Sequence, residues 1–91
     1  MRHKIKVLSS FVYPILHGEK TFEIRENDRG YQKGDIVEFE VVSDEWTDKN
    51  RSVVQELQCR SYEITYVING WGLKNGYVVF GIKESSDADS N

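Results

Sequence analysis

Residues 18–25 read Gly-Glu-Lys-Thr-Phe-Glu-Ile-Arg, and this stretch decides how the fold of the chain is interpreted. Gly18 supplies the backbone freedom that commonly ends a helix. Beyond it, apolar Phe22 and Ile24 alternate with polar residues, which is the period-two pattern of a strand with one face in a core. The pattern predicts a strand over residues 21–25 whose Phe22 and Ile24 side chains are buried.

Three charged side chains belong to the same stretch. Glu23 and Arg25 are expected together on the second face of the strand, and Lys20 at its entrance. This concentration of charge makes the stretch the first candidate for a functional site. The same pattern also fits an exposed Glu23–Arg25 ion pair and a solvated lysine with no ligand.

Length and composition limit what such a site can do. The chain has 91 residues and a single cysteine, Cys59, so it forms one small domain without an internal disulfide. Lys4 and Lys6 interrupt any apolar leader near the N-terminus, and no apolar run approaches the roughly 20 residues of a membrane helix. These features predict a cytoplasmic protein that does not associate with a membrane.

Charge is distributed unevenly along the chain. Residues 1–34 hold seven Lys and Arg against four Asp and Glu, or +3, while residues 35–91 hold five against eleven, or −6, which together give the net charge of −3. A locally basic surface on an acidic domain suits a small or short anionic ligand better than long duplex DNA. A solvated N-terminal half with no ligand is the alternative.

The remaining pattern predicts a short helix followed mainly by strands. Ser9 or Ser10 is expected to cap a helix of two to three turns that ends before Gly18, with Pro14 near the end of its first turn. Residues 43–52 read as a polar loop. Alternating segments predict further strands at residues 3–8, 36–42 and 77–82. Residues 53–68 also have strand-forming composition, especially where Tyr62, Ile64, Tyr66 and Ile68 alternate with Glu63 and Thr65.

This order of elements predicts an α+β, mainly β domain. We expect a small barrel of about five strands with one short N-terminal helix over one end, because curling protects the edges of a small sheet. No βαβ repeat occurs, so a parallel sheet is not expected. The domain is predicted to span residues 1–84, and residues 85–91 to form a disordered acidic tail.

Residues 18–25 also match the pattern GxKxxExR, which resembles the signature of the ASCH domain, a branch of the PUA-like β-barrel superfold. The resemblance extends to residues 4–8, to the preceding helix, to the Asn27–Asp35 run and to the closing segment 76–82. These segments resemble a compact bacterial and phage branch of that family whose function is unknown.

The resemblance implies a domain that binds RNA or a nucleotide-like ligand in a cleft beside the helix, lined by Lys20, Glu23 and Arg25. The chemistry agrees: Arg25 offers a planar donor fork, Glu23 accepts from an exocyclic amine, and Lys20 supplies a point charge. Arg29 is a possible second basic contact. Bases of a single strand need aromatic platforms, and the candidates are Tyr31, Trp46, Trp71 and Tyr77.

Two other classes of function remain open. Some ASCH relatives resemble small amidohydrolases that act on a modified nucleoside such as acetylated cytidine, using a lysine, a threonine three positions later and a distant carboxylate. Here Glu23 takes the threonine's place after Lys20, Thr21 lies nearby, and Glu63 is the candidate distant carboxylate. The third class is an accessory module that binds a protein partner through the acidic half.

No metal or cofactor is expected. His3 and His17 lack metal-ligand spacing with each other and with Cys59, and no phosphate-cradling glycine motif occurs. The expected partner is RNA or a nucleoside- or nucleotide-like ligand, and the expected oligomeric state is a monomer.

Overall fold

The computed structural model describes residues 1–85 and contains one five-stranded sheet. Its strands are β1 (Arg2–Val7), β2 (Phe22–Glu26), β3 (Ile36–Val41), β4 (Tyr62–Ile68) and β5 (Tyr77–Glu84). Their order across the sheet is β1-β3-β4-β5-β2, so β1 and β2 are the two edge strands. The sheet curls into a half-barrel, which confirms the predicted mainly β class. Of the tail predicted at residues 85–91, all but residue 85 lie outside the described residues.

Strand pairing differs from the sequence-based expectation at one edge. β1 pairs with β3 in parallel, whereas the other three pairs are antiparallel. The chain leaves β1, passes through a helix and β2 at the far edge, and returns to enter β3 alongside β1. This crossover includes a strand as well as a helix, so the sequence contains no simple βαβ pattern that would have predicted the parallel pair.

The predicted first helix is present but is built differently. A 3-10 turn at Ser9–Phe11 leads into helix α1 (Val12–Leu16), and Gly18 follows with a φ of +75°. Neither serine caps the helix, because the residue before the turn is Leu8 and the Ser9 hydroxyl donates to Asp44 instead. Gly18 ends the helix as predicted, with its amide donating to the Ile15 carbonyl.

Two further helices replace the polar loop predicted at residues 43–52 and the first part of the strand-forming segment predicted at residues 53–68, so both predictions were wrong over residues 45–58. They are α2 (Glu45–Lys49) and α3 (Arg51–Gln58). Asp44 caps α2 in a capping box: its carboxylate accepts from the Thr47 amide, and the Thr47 hydroxyl accepts from the Asp44 amide, each at 2.8 Å. Helix α3 packs against β3 and α1, with Leu57 fully buried.

The core fills the concave side of the half-barrel. In β1, β3 and β5 the apolar residues at alternate positions are buried, which confirms the predicted alternation in these strands. In β4 the alternation holds for Tyr62 and Ile64 only, because a bulge between Ile64 and Tyr66 shifts the register and leaves Tyr66 and Ile68 exposed. The buried apolar residues of these strands are Ile5, Val7, Val37, Phe39, Val41, Tyr62, Ile64, Val78, Phe80 and Ile82.

A polar pair lies at one end of this core. His3 is buried on β1, and its Nε2 atom lies 2.8 Å from a carboxylate oxygen of Asp35. Burial acts to raise the pKa of Asp35, but hydrogen bonds from His3 and from the Gln32 amide outweigh it, so the pKa of this carboxyl is lowered. The pair ties the start of β1 to the turn before β3.

Two arginine side chains, Arg25 on β2 and Arg29 in the turn after it, reach β1 across the open side of the half-barrel. Arg25 donates through Nη2 to the Lys6 carbonyl at 2.6 Å, and Arg29 donates through Nη1 to the Lys4 carbonyl. Both acceptors belong to β1, so the arginines link strands that no backbone ladder connects.

Among the described residues, no helix is long and apolar enough to cross a membrane.

Candidate ligand-binding cleft

The face of strand β2 that meets the core is not the one that its sequence predicts. Glu23 is only 3% exposed, whereas Phe22 and Ile24 are 43% and 54% exposed. The prediction that these two apolar side chains are buried was therefore wrong, and the carboxylate takes the inward position.

Pairing with β5 explains this orientation. Glu23 lies opposite Phe80, and Arg25 lies opposite Val78; both β5 residues point into the core. Residues paired across a sheet share a face, so Glu23 and Arg25 must also point inward. Phe22 and Ile24 accordingly lie on the outer face, in rows with Gly81 and Val79 and, beyond them, with Tyr66 and Ile68 of β4.

The buried carboxylate of Glu23 is held by two cations. Its Oε1 atom accepts from Arg25 Nε at 3.1 Å and from Arg25 Nη2 at 2.8 Å, and its Oε2 atom accepts from Lys20 Nζ. The side chains of Lys20 and Arg25 retain 16% and 26% exposure. Two cations and one carboxylate leave the cluster with one net positive charge at the surface of the core.

Lys20 is also fixed by aromatic and backbone contacts. Its ammonium lies 4.8 Å from the centre of the Phe11 ring and 5.3 Å from that of Phe22, and it donates to the Phe22 carbonyl at 2.9 Å. Cation–π contacts of this kind hold a lysine between rings without removing its charge. The site therefore combines a charged cluster with two partly exposed phenyl rings.

A cavity of about 780 Å³ opens beside this cluster, along the gap between β1, α1 and β2. The volume is within the range of roughly 300–1,000 Å³ that is usual for small-molecule sites. Its apolar wall comes from the end of β1, the 3-10 turn and the outer face of β2, and its charged wall from the motif. The lining residues are Lys6, Val7, Leu8, Phe11, Pro14, Glu19, Lys20, Phe22, Glu23, Ile24 and Arg25.

The structure thus brings Lys20, Glu23 and Arg25 together in one cavity but separates the other two predicted ligand contacts from it. Arg29 is exposed and donates to the β1 backbone. Tyr31 is 5% exposed, and its ring packs 4.8 Å from the ring centres of both His3 and Phe80. Burial raises the pKa of Tyr31, against the effect of Arg29. The buried ring of Tyr31 does not offer a free platform.

The remaining aromatic candidates are distributed around the molecule. Trp46 is half-buried on α2 and contacts Tyr13 edge-on. Tyr77 is half-buried at the start of β5, with Lys74 Nζ 5.6 Å from the centre of its ring. Trp71 is 90% exposed in the loop between β4 and β5. None of the three lines the cavity.

The residues considered for hydrolysis are only partly assembled. Lys20 and Glu23 are in contact, but neither Thr21 nor Glu63 lines the cavity. Thr21 borders a smaller cavity of about 120 Å³, where Arg60 and Tyr62 also lie. No hydroxyl of a serine or threonine lies among the lining residues of the main cavity.

Sequence reasoning missed the apolar half of the cavity. Leu8 and Phe11 are 58% and 37% exposed although each is large and apolar. From the sequence, an apolar residue immediately before or inside a short helix is expected to belong to the core. Only the position of β2 beside the helix shows that these side chains face a cavity. The pattern in the sequence contained no separate signal for them.

Comparison with known proteins identifies the family. No curated protein matches the chain. One family model, described as Domain of unknown function (DUF3850), matches residues 2–82. The match spans β1 to β4, most of β5 and the whole GxKxxExR segment, and we conclude that the chain belongs to the DUF3850 family.

Proposed function

We propose that the protein is an ASCH-type, PUA-like barrel that binds RNA or a nucleotide-like ligand in the cavity beside Lys20, Glu23 and Arg25. The observation that carries the proposal is the cavity itself, in which partly exposed phenyl rings lie beside a fixed cluster of hydrogen-bonding charges. Planar rings and a few oriented polar groups are the features that recognise a nucleobase.

The roles within the cluster follow from its bonds. Both carboxylate oxygens of Glu23 already accept from cations and the residue is buried, so its main role is to orient Lys20 and Arg25. The two cations retain donors toward the cavity, because a guanidinium carries five N–H groups and an ammonium three. These donors suit the carbonyl oxygens and ring nitrogens of a base, or a phosphate oxygen.

Location and assembly complete the proposal. A lone, exposed Cys59 fits a reducing cytoplasm, and a complete cavity within one chain fits a monomer.

Amide NMR of the labelled protein tests this function with a panel of nucleosides, nucleotides and short single-stranded RNAs. We expect shifts to cluster at residues 18–25 and at Leu8 and Phe11. Arg25→Ala should weaken binding at least roughly tenfold, which corresponds to the loss of a charged hydrogen bond. Arg51→Ala, whose side chain is exposed on α3 and does not line the cavity, is the matched control. A panel that moves none of these amides would refute the proposal.

Hydrolysis of an acylated nucleoside is a second candidate, favoured by the contact between Lys20 and the buried Glu23 at the cavity wall. In that reaction Lys20 and Glu23 would form the acid–base pair at the cavity wall. Product formation from acetylated cytidine decides the matter. Turnover that disappears in Lys20→Ala while binding persists would establish the enzyme.

A further inference from the structure

Trp71 is held away from the protein by an unusual stretch of backbone. Its side chain is 90% exposed, and its φ of +55° is left-handed, as are those of Gly70 at +73° and Gly72 at +88°. A bulky residue in this region is strained, and such strain is concentrated at functional sites. The loop therefore stabilises a conformation that projects an indole ring into solvent, where it contributes nothing to the core.

A second cavity lies at the base of this loop. It has a volume of about 390 Å³, and its lining includes Asn27, Asn69, Asn75 and Lys74. Trp71 belongs to the turn in which the Leu73 amide donates to the Gly70 carbonyl, and both ends of that turn line the cavity. Asparagine amides both donate and accept, which matches the mixed donors and acceptors on the edges of bases.

The two cavities are adjacent along one strand. Arg25 lines the first cavity, and Asn27, two residues later, lines the second. At a strand rise of about 3.3 Å per residue their backbones are roughly 7 Å apart. The Asn27 amide donates to the Gly76 carbonyl at 2.9 Å, so the loop is attached to the end of β2. Consecutive nucleotides of one strand are separated by about 3.4 Å when stacked and by more when extended, so neighbouring nucleotides fit this spacing.

Resting on the proposed function, we infer that a single strand of RNA spans both cavities, with one base in the first and a neighbouring base stacked on Trp71. Single-stranded nucleic acid is favoured over a protein partner by the polar lining of the second cavity, where three asparagines and Lys74 lie at the base of the loop. Among the described residues of the β4–β5 loop, Trp71 is the one exposed large apolar side chain. Lys74 is the one charged residue among those that line the second cavity.

Trp46→Phe makes Trp71 the sole tryptophan and hence the sole source of indole fluorescence. We expect a six-nucleotide RNA to quench that emission at the concentrations that shift the amides of residues 18–25. A single nucleoside should shift those amides without quenching. Stacking of one base on an aromatic ring corresponds to a roughly 5- to 150-fold change in affinity, so Trp71→Ala should weaken hexamer binding by that factor and leave nucleoside binding unchanged.

Trp71→Phe keeps a ring in place and should retain part of the affinity, while unchanged thermal unfolding of Trp71→Ala would show that the loop variant still folds. Hexamer affinity that is unaffected by Trp71→Ala, with shifts at residues 18–25 intact, overturns the inference and leaves the proposed function standing. Absence of those shifts with every ligand overturns the proposed function. Emission that changes with protein concentration, without RNA, assigns Trp71 to a protein contact and also overturns the inference.

Discussion

Replacing Glu23 with alanine tests the inverted orientation of β2. The variant would leave Lys20 and Arg25 beside each other at the edge of the core without their shared carboxylate. Removal of one partner from a fully buried ion pair costs about 3–5 kcal/mol. Because the two cations keep 16% and 26% exposure, water offsets part of this cost, and we expect a loss of about 2–3 kcal/mol in the free energy of unfolding.

Urea unfolding and thermal unfolding measure this loss. For a domain of this size, 2–3 kcal/mol corresponds to a fall in Tm of roughly 10–20 °C. Glu26→Ala is the matched control, since Glu26 lies on the same strand with an exposed side chain, and should change stability by less than about 0.5 kcal/mol. If β2 instead buried Phe22 and exposed Glu23, the two glutamate variants would behave alike. A change below about 0.5 kcal/mol in Glu23→Ala would therefore refute the reasoning.

Three other variants test separate features. Gly18→Ala should lose about 1 kcal/mol in urea unfolding, because its φ is +75° although nothing lies within 4 Å of the added carbon. Arg29→Ala should speed amide hydrogen exchange in β1 by removing the link to the Lys4 carbonyl, with unchanged exchange as the contrary result. Since the pKa of Asp35 is lowered below the ordinary value of about 3.9, its contribution to stability is complete above that pH and is lost as the pH falls through the folded pKa. The difference in the free energy of unfolding between the wild type and Asp35→Asn should accordingly become smaller below pH 4. A difference that does not change with pH would count against the His3 contact.

Alternation in the sequence located the strands because burial repeats every second residue in an extended chain. It gave the correct inner face in β1, where Ile5 and Val7 are buried, and in β5, where Val78, Phe80 and Ile82 are buried. In β2 the same rule failed, since alternation separates two faces without saying which one meets the core. Pairing with a neighbouring strand decides that question, and pairing is a long-range property.

The helices at residues 45–58 were missed for a different reason. The signals were present: Asp44 and Thr47 have the spacing of a capping box, and Val53, Val54 and Leu57 recur as on one side of a helix. The polar composition of residues 43–52 outweighed them. The charged cluster was easier to find because Lys20, Glu23 and Arg25 lie within six residues of one another, whereas the apolar cavity wall is assembled from separate elements.

The inversion of β2 connects the stability of the fold with the chemistry of the cavity. A buried carboxylate needs cations, and the two that satisfy Glu23 are thereby fixed at the cavity wall rather than free in solvent. The same orientation of the strand places Phe22 and Ile24 outward, where they line the apolar wall of the cavity. Because the cluster retains one net positive charge, ring contacts and directed hydrogen bonds have more weight in recognition than net electrostatic attraction. Binding of a short RNA should then depend on salt only weakly, with a slope near −0.7 for about one phosphate contact.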